Sequence, residues 1–219
     1  MDWGILASLG QDERRRILSS TLRRQFAPGD IIFHEGDPAD SLHLLEGGHV
    51  TVWITTSLGE SVILEILGPG AVFGELALLG HNQRRAATVR ALDRSETLSM
   101  SRQQFNKLRV YLPVVEDFLF QSMAESVRRM DERLIEALFV PAEKRVLRRL
   151  ISVALLYGPT GSSGTKVPVT QAVLASMAGT TRPTANQVLR ATEETGVIAL
   201  GRKTITILRP IELRKRAGL

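Results

Sequence analysis

Phe73-Gly74-Glu75-Leu76-Ala77-Leu78-Leu79, followed closely by Arg85-Ala86-Ala87-Thr88-Val89, is the stretch that decides the fold. Gly74 follows a short apolar segment and opens what the pattern predicts as a single helical turn. Exposed N–H groups at a helix start attract an anion, and glycine lets the backbone approach it closely. Arg85 lies ten positions after Glu75, and its planar guanidinium suits a phosphate held by two hydrogen bonds.

The neighbouring residues narrow the class of ligand. Ala86 and Ala87 are small and leave room for a ligand to touch the backbone. A carboxylate at Glu75 would repel a phosphate, but it can accept a hydrogen bond from a neutral hydroxyl such as a ribose 2′-OH. The set therefore suits a sugar phosphate with one negative charge. An ordinary surface salt bridge between Glu75 and Arg85 is the alternative that the residues alone leave open.

Short apolar segments broken by turn residues surround this motif from Gln25 to Met100. They predict strands over Ile31–Phe33, Ser41–Leu45, Val50–Thr55 and Ser61–Leu67. Strands of this length and spacing are typical of a sandwich or barrel. Before them, Asp12 to about Arg24 is predicted to form a short helix.

A long amphipathic helix is predicted from Pro113 to about Leu138. Its apolar residues recur in steps of three and four, at Val115, Phe118, Leu119, Met123, Val127, Met130, Leu134 and Leu138. From Leu119 onward this stripe resembles a short coiled-coil seam. We favour a dimerisation helix over a helix packed on its own barrel. Pro141 breaks the pattern and is the predicted domain boundary.

The segment after Pro141 has the pattern of a helix-turn-helix. Helices are predicted over Ala142–Tyr157, Thr170–Ala178 and Arg182–Thr195, with a flexible loop over Gly158–Gly164 and a hairpin over Val197–Leu208 that turns at Gly201-Arg202. Thr170 and Thr181 can cap the two short helices, Gly179 allows a tight turn between them, and Pro183 suits a first turn.

Charge divides the chain into two parts. Residues 141–219 contain 13 Lys and Arg against four Asp and Glu, and residues 1–140 contain 15 against 19. The resulting net charges of +9 and −4 indicate that only the C-terminal part meets a polyanion. Scattered solvated charge is the alternative.

Composition excludes several kinds of chemistry. With no cysteine there is no disulfide, no thiol catalysis and no cysteine-ligated cluster. The four histidines, His34, His43, His49 and His81, lack metal-ligand spacing and are expected on the surface or in loops. We find no nucleophile–base constellation and no metal cluster, so an enzyme is not expected. Without a membrane-length apolar run or a secretory signal pattern, a cytoplasmic location is the expectation.

The phosphate motif resembles the phosphate-binding cassette of cyclic-nucleotide-binding domains, in which Gly-Glu-Leu is followed about ten residues later by Arg-(Ser/Ala/Thr)-Ala. The segment from Val169 to Ile207 resembles the winged helix-turn-helix of the Crp/Fnr family. There Thr181-Arg182-Pro183-Thr184 matches the family pattern Ser-Arg-(Glu/Pro)-Thr. The resemblance extends from about Phe26 to Leu208, in the same domain order.

The resemblance implies an α+β fold. It places an N-terminal double-stranded β-helix (jelly-roll) nucleotide domain in residues 1–112, a dimerisation helix and hinge in 113–140, and a winged helix-turn-helix in 141–219. The implied function is a cyclic-nucleotide-dependent, sequence-specific transcription regulator. It would act as a homodimer on a near-palindromic operator of double-stranded DNA, with RNA polymerase as a further partner.

The resemblance also assigns ligand roles. Glu75 would bind the ribose hydroxyl, and Arg85 with the Gly74 and Ala86 region would bind the cyclic phosphate. The remaining expected ligand contacts are Val52, Leu64, Leu76, Ala87, Met130 and Asp131. Met130 and Asp131 stand where the enterobacterial activator has the Thr-Ser pair that contacts adenine, so the base stays open. Ala86, as in kinase regulatory subunits, mildly favours cyclic AMP over cyclic GMP.

The DNA-contacting residues predicted in the same way are Thr170, Thr181, Arg182, Thr184, Gln187, Arg202 and Lys203. Arg182 can read guanine O6 and N7, and Gln187 can read adenine or touch phosphate. Thr181, Thr184 and the wing residues would contact phosphates. Pro183 and Gln187 depart from the enterobacterial activator, which leaves the operator sequence open. Lys144, Arg145, Arg148 and Arg149 are expected to form a solvated helix face.

Three other interpretations remain at this point. The regulator could respond to cyclic GMP, to another ligand such as haem, to a redox signal, or to none. Lack of cysteine disfavours redox sensing, and the intact cassette disfavours haem. A nucleotide-binding module that regulates a protein partner is a second possibility, against which the basic C-terminal part argues. An enzyme is the third.

Overall fold

The computed structural model describes residues 3–6, 9–57, 59–79, 84–158 and 164–219. These residues form two compact units. The first comprises residues 1–54 and 64–128, and the second residues 55–63 and 129–219. The predicted boundaries after residues 112 and 140 stay predictions.

Within the described residues, eight strands and three short helices precede the long helix. The strands are β1 Leu22–Phe26, β2 Ile31–Phe33, β3 Ser41–Gly47, β4 Val50–Thr55, β5 Ser61–Leu67, β6 Val72–Phe73, β7 Thr88–Ala91 and β8 Ser95–Ser101. The helices are α1 Gln11–Ser19, α2 Leu76–Leu79 and α3 Arg102–Tyr111, and one 3-10 turn spans Gly4–Leu6. The four strands predicted from the sequence are confirmed, and three of them, Ile31–Phe33, Val50–Thr55 and Ser61–Leu67, have the predicted bounds.

The strands form two four-stranded sheets, in the orders β1-β8-β3-β6 and β2-β7-β4-β5. The paired registers are antiparallel, for example Val52 opposite Val89 and Leu44 opposite Leu98. Inward-facing apolar residues fill the interior, because side chains of a strand alternate between its two faces. This arrangement confirms the α+β jelly-roll fold of the nucleotide domain.

The long helix α4, Pro113–Phe139, has two differently packed parts. Val115 and Leu119 are 0% and 5% exposed and belong to a core cluster that also contains Trp3 and Phe105. The later apolar residues are more than 45% exposed in the single chain: Met123, Val127, Met130, Leu134 and Leu138. The two interpretations of this helix therefore apply to different turns. Its start packs on its own domain, and its later stripe is uncovered.

The C-terminal elements are helices packed together with a small sheet. They are α5 Ala142–Tyr157, β9 Thr165–Val167, α6 Gln171–Met177, α7 Arg182–Glu194, β10 Ile198–Gly201, β11 Thr204–Ile207 and α8 Pro210–Ala217. The sheet order is β10-β11-β9, and Gly201 pairs with Thr204. The hairpin therefore turns at Arg202-Lys203, one residue later than predicted. This is the winged helix-turn-helix arrangement.

The first predicted helix is too long. Residues 22–24, which the helix was expected to include, lie in β1, where Arg23 pairs with Leu98 of β8. Ladder hydrogen bonds to a distant strand override the local helical pattern there. Residues 159–163 of the predicted flexible loop lie outside the described residues, as does His81.

Two other expectations are wrong. His43 is 4% exposed within β3, so it is neither a surface nor a loop residue, whereas His49 lies in the β3–β4 loop as expected, although it is only 9% exposed beside Asp93. The α5 arginines are not a solvated face. The Arg148 and Arg149 side chains are 21% and 16% exposed and both contact Glu136, and Arg145 donates to four backbone carbonyls. Lys144 alone is exposed as expected.

Candidate nucleotide pocket and nucleic-acid interface

Gly74 occupies the bend between β6 and the single turn of α2. Its φ of +85° lies in the left-handed region, which glycine adopts without steric cost. A Cβ at this position would lie 2.6 Å from Nη1 of Arg85. Glycine is therefore required both by the backbone conformation and by the approach of the guanidinium. The structure thus brings together the two halves of the motif.

Arg85 is buried, with 2% of its side chain exposed. Its Nη1 donates to the Gly74 carbonyl at 3.1 Å, and its Nη2 donates to Asp40 Oδ1 and Ser41 Oγ, each at 3.3 Å. The Nε–H has no hydrogen-bond partner within the part of the chain that the structure describes. The ion pair of this arginine is made with Asp40, so the alternative of a surface salt bridge to Glu75 is wrong.

An aromatic group supports the guanidinium. The Cζ of Arg85 lies 4.0 Å from the ring centroid of Phe33, a cation–π contact. Phe33 in turn lies 6.0 Å from both His43 and Phe73, which stack on each other at 5.2 Å. The relation of Phe33, His43, Phe73 and Asp40 to Arg85 was missed by the sequence analysis, because it arises from strand pairing. The β3–β6 pairing of His43 with Phe73 is the contact that the sequence could not show.

Burial sets the charges of this site. Desolvation raises the pKa of Glu75 and lowers that of Arg85, although a guanidinium stays protonated at neutral pH. Burial, followed by repulsion from Arg85, lowers the pKa of His43 to about 3. His43 is therefore neutral at pH 7, with Nδ1 3.1 Å from Thr97 Oγ1. Arg85 is the cation that the site offers to an anionic ligand.

A cyclic nucleotide fits these residues on two observations. A glycine is required beside the guanidinium, and one buried N–H of that guanidinium is unpartnered. Gly74, Glu75 and Arg85 would hold the sugar phosphate, and Ala86, which is exposed, and Ala87, which is half-buried, follow Arg85 at the rim.

The remaining predicted ligand residues lie on separate elements. Val52 on β4 is partly buried, while Leu64 on β5 and Leu76 on α2 are 36% and 47% exposed. Met130, 66% exposed, and Asp131, also exposed, lie on α4 in the second unit. Their contact with a ligand stays a prediction.

The reading helix α7 is built by capping and burial of one face. The Thr181 hydroxyl accepts a hydrogen bond from the Thr184 backbone N–H at 3.3 Å, and the two hydroxyl oxygens are 2.9 Å apart. Ala185 and Leu189 are fully buried. The Thr170 hydroxyl caps α6 in the same way, accepting from Val173 N–H at 3.2 Å. Thr170 and Thr181 therefore fix the starts of two helices, and Thr184 supplies the N–H that Thr181 accepts.

The side chains predicted to read DNA point away from this core. Arg182 and Gln187, at the start and on the second turn of α7, are exposed. Arg202 and Lys203 form the exposed tip of the wing, where Lys203 has a φ of +59°. A capped helix that carries exposed polar residues at its N-terminal end, beside a basic hairpin, can enter a major groove. No helix of the described residues is long and apolar enough to cross a membrane.

Two family models match the chain in the same order as these sites. Residues 23–110 match the cyclic nucleotide-binding domain, and residues 144–216 match the Crp-like helix-turn-helix domain. The first match contains Gly74, Glu75 and Arg85, and the second contains α6, α7 and the wing.

Curated relatives match over most of their lengths. The cyclic AMP receptor protein of Thermus thermophilus is 34% identical over 199 residues, which cover 91% of this chain and 89% of that protein. The cAMP-activated global transcriptional regulator CRP of Escherichia coli is 28% identical, over 80% of this chain and 84% of that protein.

Solved structures have the same fold. The Thermus thermophilus catabolite activator protein has a TM-score of 0.56 at 32% identity, with 98% of both chains covered. The c-di-GMP-responsive regulator CLP of Xanthomonas campestris has a TM-score of 0.78 at 20% identity, covering 90% of this chain and 99% of that one. The latter shows a likeness of fold alone.

Proposed function

The chain belongs to the Crp/Fnr family of transcription regulators, and we propose that it is a cyclic-nucleotide-dependent, sequence-specific regulator that acts as a homodimer on a near-palindromic operator. Cyclic AMP is the favoured effector. As a DNA-binding regulator it would act in the cytoplasm. RNA polymerase is the partner that a regulator bound at a promoter would engage.

The buried guanidinium of Arg85 is the observation that carries this proposal. A charge with 2% exposure is costly unless it is paired, and its partner Asp40 is itself 82% exposed. A cyclic phosphodiester would supply the second acceptor that the unpartnered Nε–H lacks. Glu75, half-buried beside this cation, would accept from the ribose hydroxyl. A site with one buried cation and one carboxylate acceptor suits a monoanionic sugar phosphate.

Cyclic AMP is favoured over other effectors on two grounds. The Thermus thermophilus and Escherichia coli relatives named above are described as a cyclic AMP receptor and a cAMP-activated regulator. Ala86 also stands in the cassette as it does in cyclic-AMP-binding kinase subunits. Asp131 could accept from the adenine amino group or from guanine N–H groups, so cyclic GMP is the competing effector. A structural neighbour that responds to c-di-GMP shows that this fold accommodates other ligands.

DNA reading is assigned to the exposed edge of α7 and to the wing. A forked guanidinium at Arg182 would bind guanine O6 and N7, which contributes roughly 1–3 kcal/mol of base discrimination. Gln187 would read adenine or touch a phosphate. Arg202 and Lys203 would add salt-dependent phosphate contacts. Thr170, Thr181 and Thr184 would contact phosphates near the N-terminal ends of α6 and α7.

The homodimer is supported by the uncovered stripe on α4. Met123, Val127, Met130, Leu134 and Leu138 are each between 46% and 67% exposed, at the spacing of a coiled-coil seam. Such a row of large apolar side chains is unfavourable in water unless another surface covers it. A second copy of the same helix would present two reading helices to half-sites about 34 Å apart. Ligand binding would shift the population toward the dimer with that spacing.

The experiment that tests this function compares Arg85→Ala with Arg84→Ala. Calorimetry would measure binding of cyclic AMP and cyclic GMP, and fluorescence anisotropy would measure binding to DNA selected from a random pool. Charge-assisted hydrogen bonds contribute about 1.5–3 kcal/mol each, so Arg85→Ala should weaken nucleotide binding by at least about 100-fold and abolish nucleotide-stimulated DNA binding.

Arg84 is the matched control, because it is the adjacent exposed arginine and donates to the Gly36 carbonyl. Its removal should change nucleotide affinity by less than about threefold. If nucleotide stimulation survives in Arg85→Ala, the pocket assignment is wrong. If the wild type binds no DNA sequence preferentially with or without nucleotide, the proposed function is wrong as a whole.

A further inference from the structure

Arg145 lies on the first turn of α5. Unlike a side chain on a solvated helix face, it donates several hydrogen bonds to backbone carbonyls. Its Nε donates to the Ala178 carbonyl at 2.9 Å and its Nη2 to the Gly179 carbonyl at 3.1 Å. Its Nη1 donates to the Val140 carbonyl at 2.9 Å and to the Ala137 carbonyl at 3.3 Å. One guanidinium therefore joins three segments of the second unit.

The four acceptor carbonyls lie at the C-terminal ends of two helices. The carbonyls of residues 137 and 140 lie at the end of α4, and those of 178 and 179 immediately follow α6. The last carbonyls of a helix lack intrahelical partners and carry partial negative charge. A cation with several N–H donors satisfies both ends at once. Arg145 thus acts as a shared C-terminal cap for the long helix and for the first helix of the helix-turn-helix.

The second of these helix ends determines where the reading helix begins. Gly179 has a φ of +57°, and Thr181, two residues later, caps α7. The turn between α6 and α7 is therefore only three residues long beyond Ala178 and leaves little freedom. A group that fixes the carbonyls of Ala178 and Gly179 also fixes the start of α7, where Arg182 lies.

We propose that Arg145 is a positioning residue for DNA reading, which ties the start of the reading helix to the last turn of the long helix. The inference rests on the proposed function, since it concerns how two reading helices are held at one spacing. This contact bridges the predicted domain boundary at Pro141. Movement of the end of α4 would therefore carry the α6–α7 turn with it.

An ion cluster on the next turn of α5 reinforces the same junction. Glu136 of α4 accepts from Arg148 at 2.9 Å and from Arg149, and the three side chains are 17%, 21% and 16% exposed. Arg148 also donates to the carbonyls of Ala217 and Gly218 at the C-terminal end of α8. These contacts join α4 to α5 without reaching the α6–α7 turn. Arg145 is distinguished by spanning from the long helix to that turn.

The geometry requires a guanidinium and not merely a positive charge. Donors on three nitrogens point in fixed directions from one plane, whereas a lysine ammonium presents its donors from one atom. Lysine at this position could cap one helix end but could not bridge both. Arg145→Lys therefore keeps the charge and the helix-forming tendency while it removes the bridge.

The test measures tolerance of half-site spacing. Full-length wild-type protein and Arg145→Lys would be titrated, with saturating cyclic AMP, against a selected operator and against the same operator with one base pair inserted between its half-sites. We expect the wild type to prefer the original spacing by about tenfold or more, and Arg145→Lys to prefer it by about threefold or less. Arg216→Lys is the matched control, because that arginine contacts Glu212 of its own helix.

Each outcome has a distinct meaning. If Arg145→Lys weakens binding to both operators equally, the residue is structural only and the positioning role is refuted. A control with the same loss of preference as Arg145→Lys would refute it as well. If the wild type binds neither operator specifically, the proposed function fails instead.

A measurement on the unchanged protein covers the case in which the variant does not fold. The Nε–H of Arg145, observed by NMR, should exchange with water at least about tenfold more slowly than that of Arg216, because it is held by a carbonyl within the fold. Equal exchange rates of the two groups would refute the bridge.

Discussion

Arg85 and Arg182 are the two arginines on which the proposed activities depend, and the protein holds them in opposite ways. Arg85 is 2% exposed, bonded to three oxygens of its own domain and supported by the ring of Phe33. Arg182 is exposed at the start of a helix whose other face is buried. The Arg85 guanidinium is held in place by the side chains and carbonyls around it, whereas Arg182 is positioned by the helix α7 on which it lies.

The difference follows from the size of the partner. A small ligand must be enclosed, so its cation can be buried and oriented within one chain. A DNA duplex cannot be enclosed, so its readers must be exposed and the precision must come from a rigid helix and from the spacing of two copies. The nucleotide site is therefore expected to be nearly complete in a single chain, and the DNA site to require two.

The largest expected effect tests the expectation that the DNA site requires two chains. Leu134→Glu together with Leu138→Glu places like charges on the exposed stripe of α4 and should dissociate the dimer. Binding to a palindromic operator should then fall by about 100-fold or more, because the two sites no longer bind together. Cyclic AMP affinity should change by less than about tenfold. Sedimentation, anisotropy and calorimetry measure the three quantities.

The matched control is Arg128→Glu, at an exposed position of the same helix that lies outside the apolar stripe and pairs with Glu125. Arg128→Glu should leave the dimer intact. An equal loss of nucleotide and DNA binding in the stripe variant would contradict the contrast between a one-chain site and a two-chain site.

A smaller effect separates base reading from charge in the DNA site. Arg182→Ala should remove roughly 1–3 kcal/mol of discrimination at one base pair of each half-site, while weak, salt-sensitive binding remains. Lys203→Ala should instead weaken binding to all sequences and reduce the slope of log affinity against log salt by about one for each subunit. Competition between selected and scrambled duplexes at several salt concentrations distinguishes them. Unchanged base preference in Arg182→Ala would refute its reading role.

The smallest expected effect concerns the free-energy cost of burying the Glu75 carboxylate in the nucleotide site. Burial raises the pKa of Glu75, so the folded state binds a proton more tightly than the unfolded state. The free energy of unfolding should therefore decrease as pH rises from the unfolded pKa through the raised folded value. At pH 7 the ligand-free Glu75→Gln variant should be more stable than the wild type by up to about 1 kcal/mol, with a weaker pH dependence.

The same substitution should weaken cyclic AMP binding by about tenfold, because an amide is a poorer acceptor for the ribose hydroxyl than a carboxylate. Thermal unfolding from pH 4 to 8 and calorimetry measure both effects. Glu65→Gln, on β5, is the control. It should change neither the stability nor the cyclic AMP affinity by a comparable amount. A Glu75→Gln variant that is less stable than the wild type at pH 7 would show that the buried carboxylate is already satisfied within the fold.

Local patterns identified most of the elements. The strands Val50–Thr55 and Ser61–Leu67 and the helix α5 have the predicted bounds, because turn residues and Pro141 delimit them in the sequence. The caps at Thr170 and Thr181 are confirmed for the same reason, since a cap and its N–H donor lie within three residues. Helix α3 and strand β1 were missed, because their states depend on capping and pairing that apolar periodicity does not reveal.

The sequence alone determined which residues are predicted to form the two sites, because Gly74, Glu75 and Arg85 lie close together in the chain, as do Thr181 and Arg182. The tertiary structure alone decided what surrounds them. Asp40, Phe33 and the α4–α5 contacts of Arg145 are distant from their partners along the chain and meet them only after strands and helices pack. Burial and pairing depend on that packing, so neutral His43 and the bridging Arg145 could not be distinguished in the sequence from ordinary surface residues.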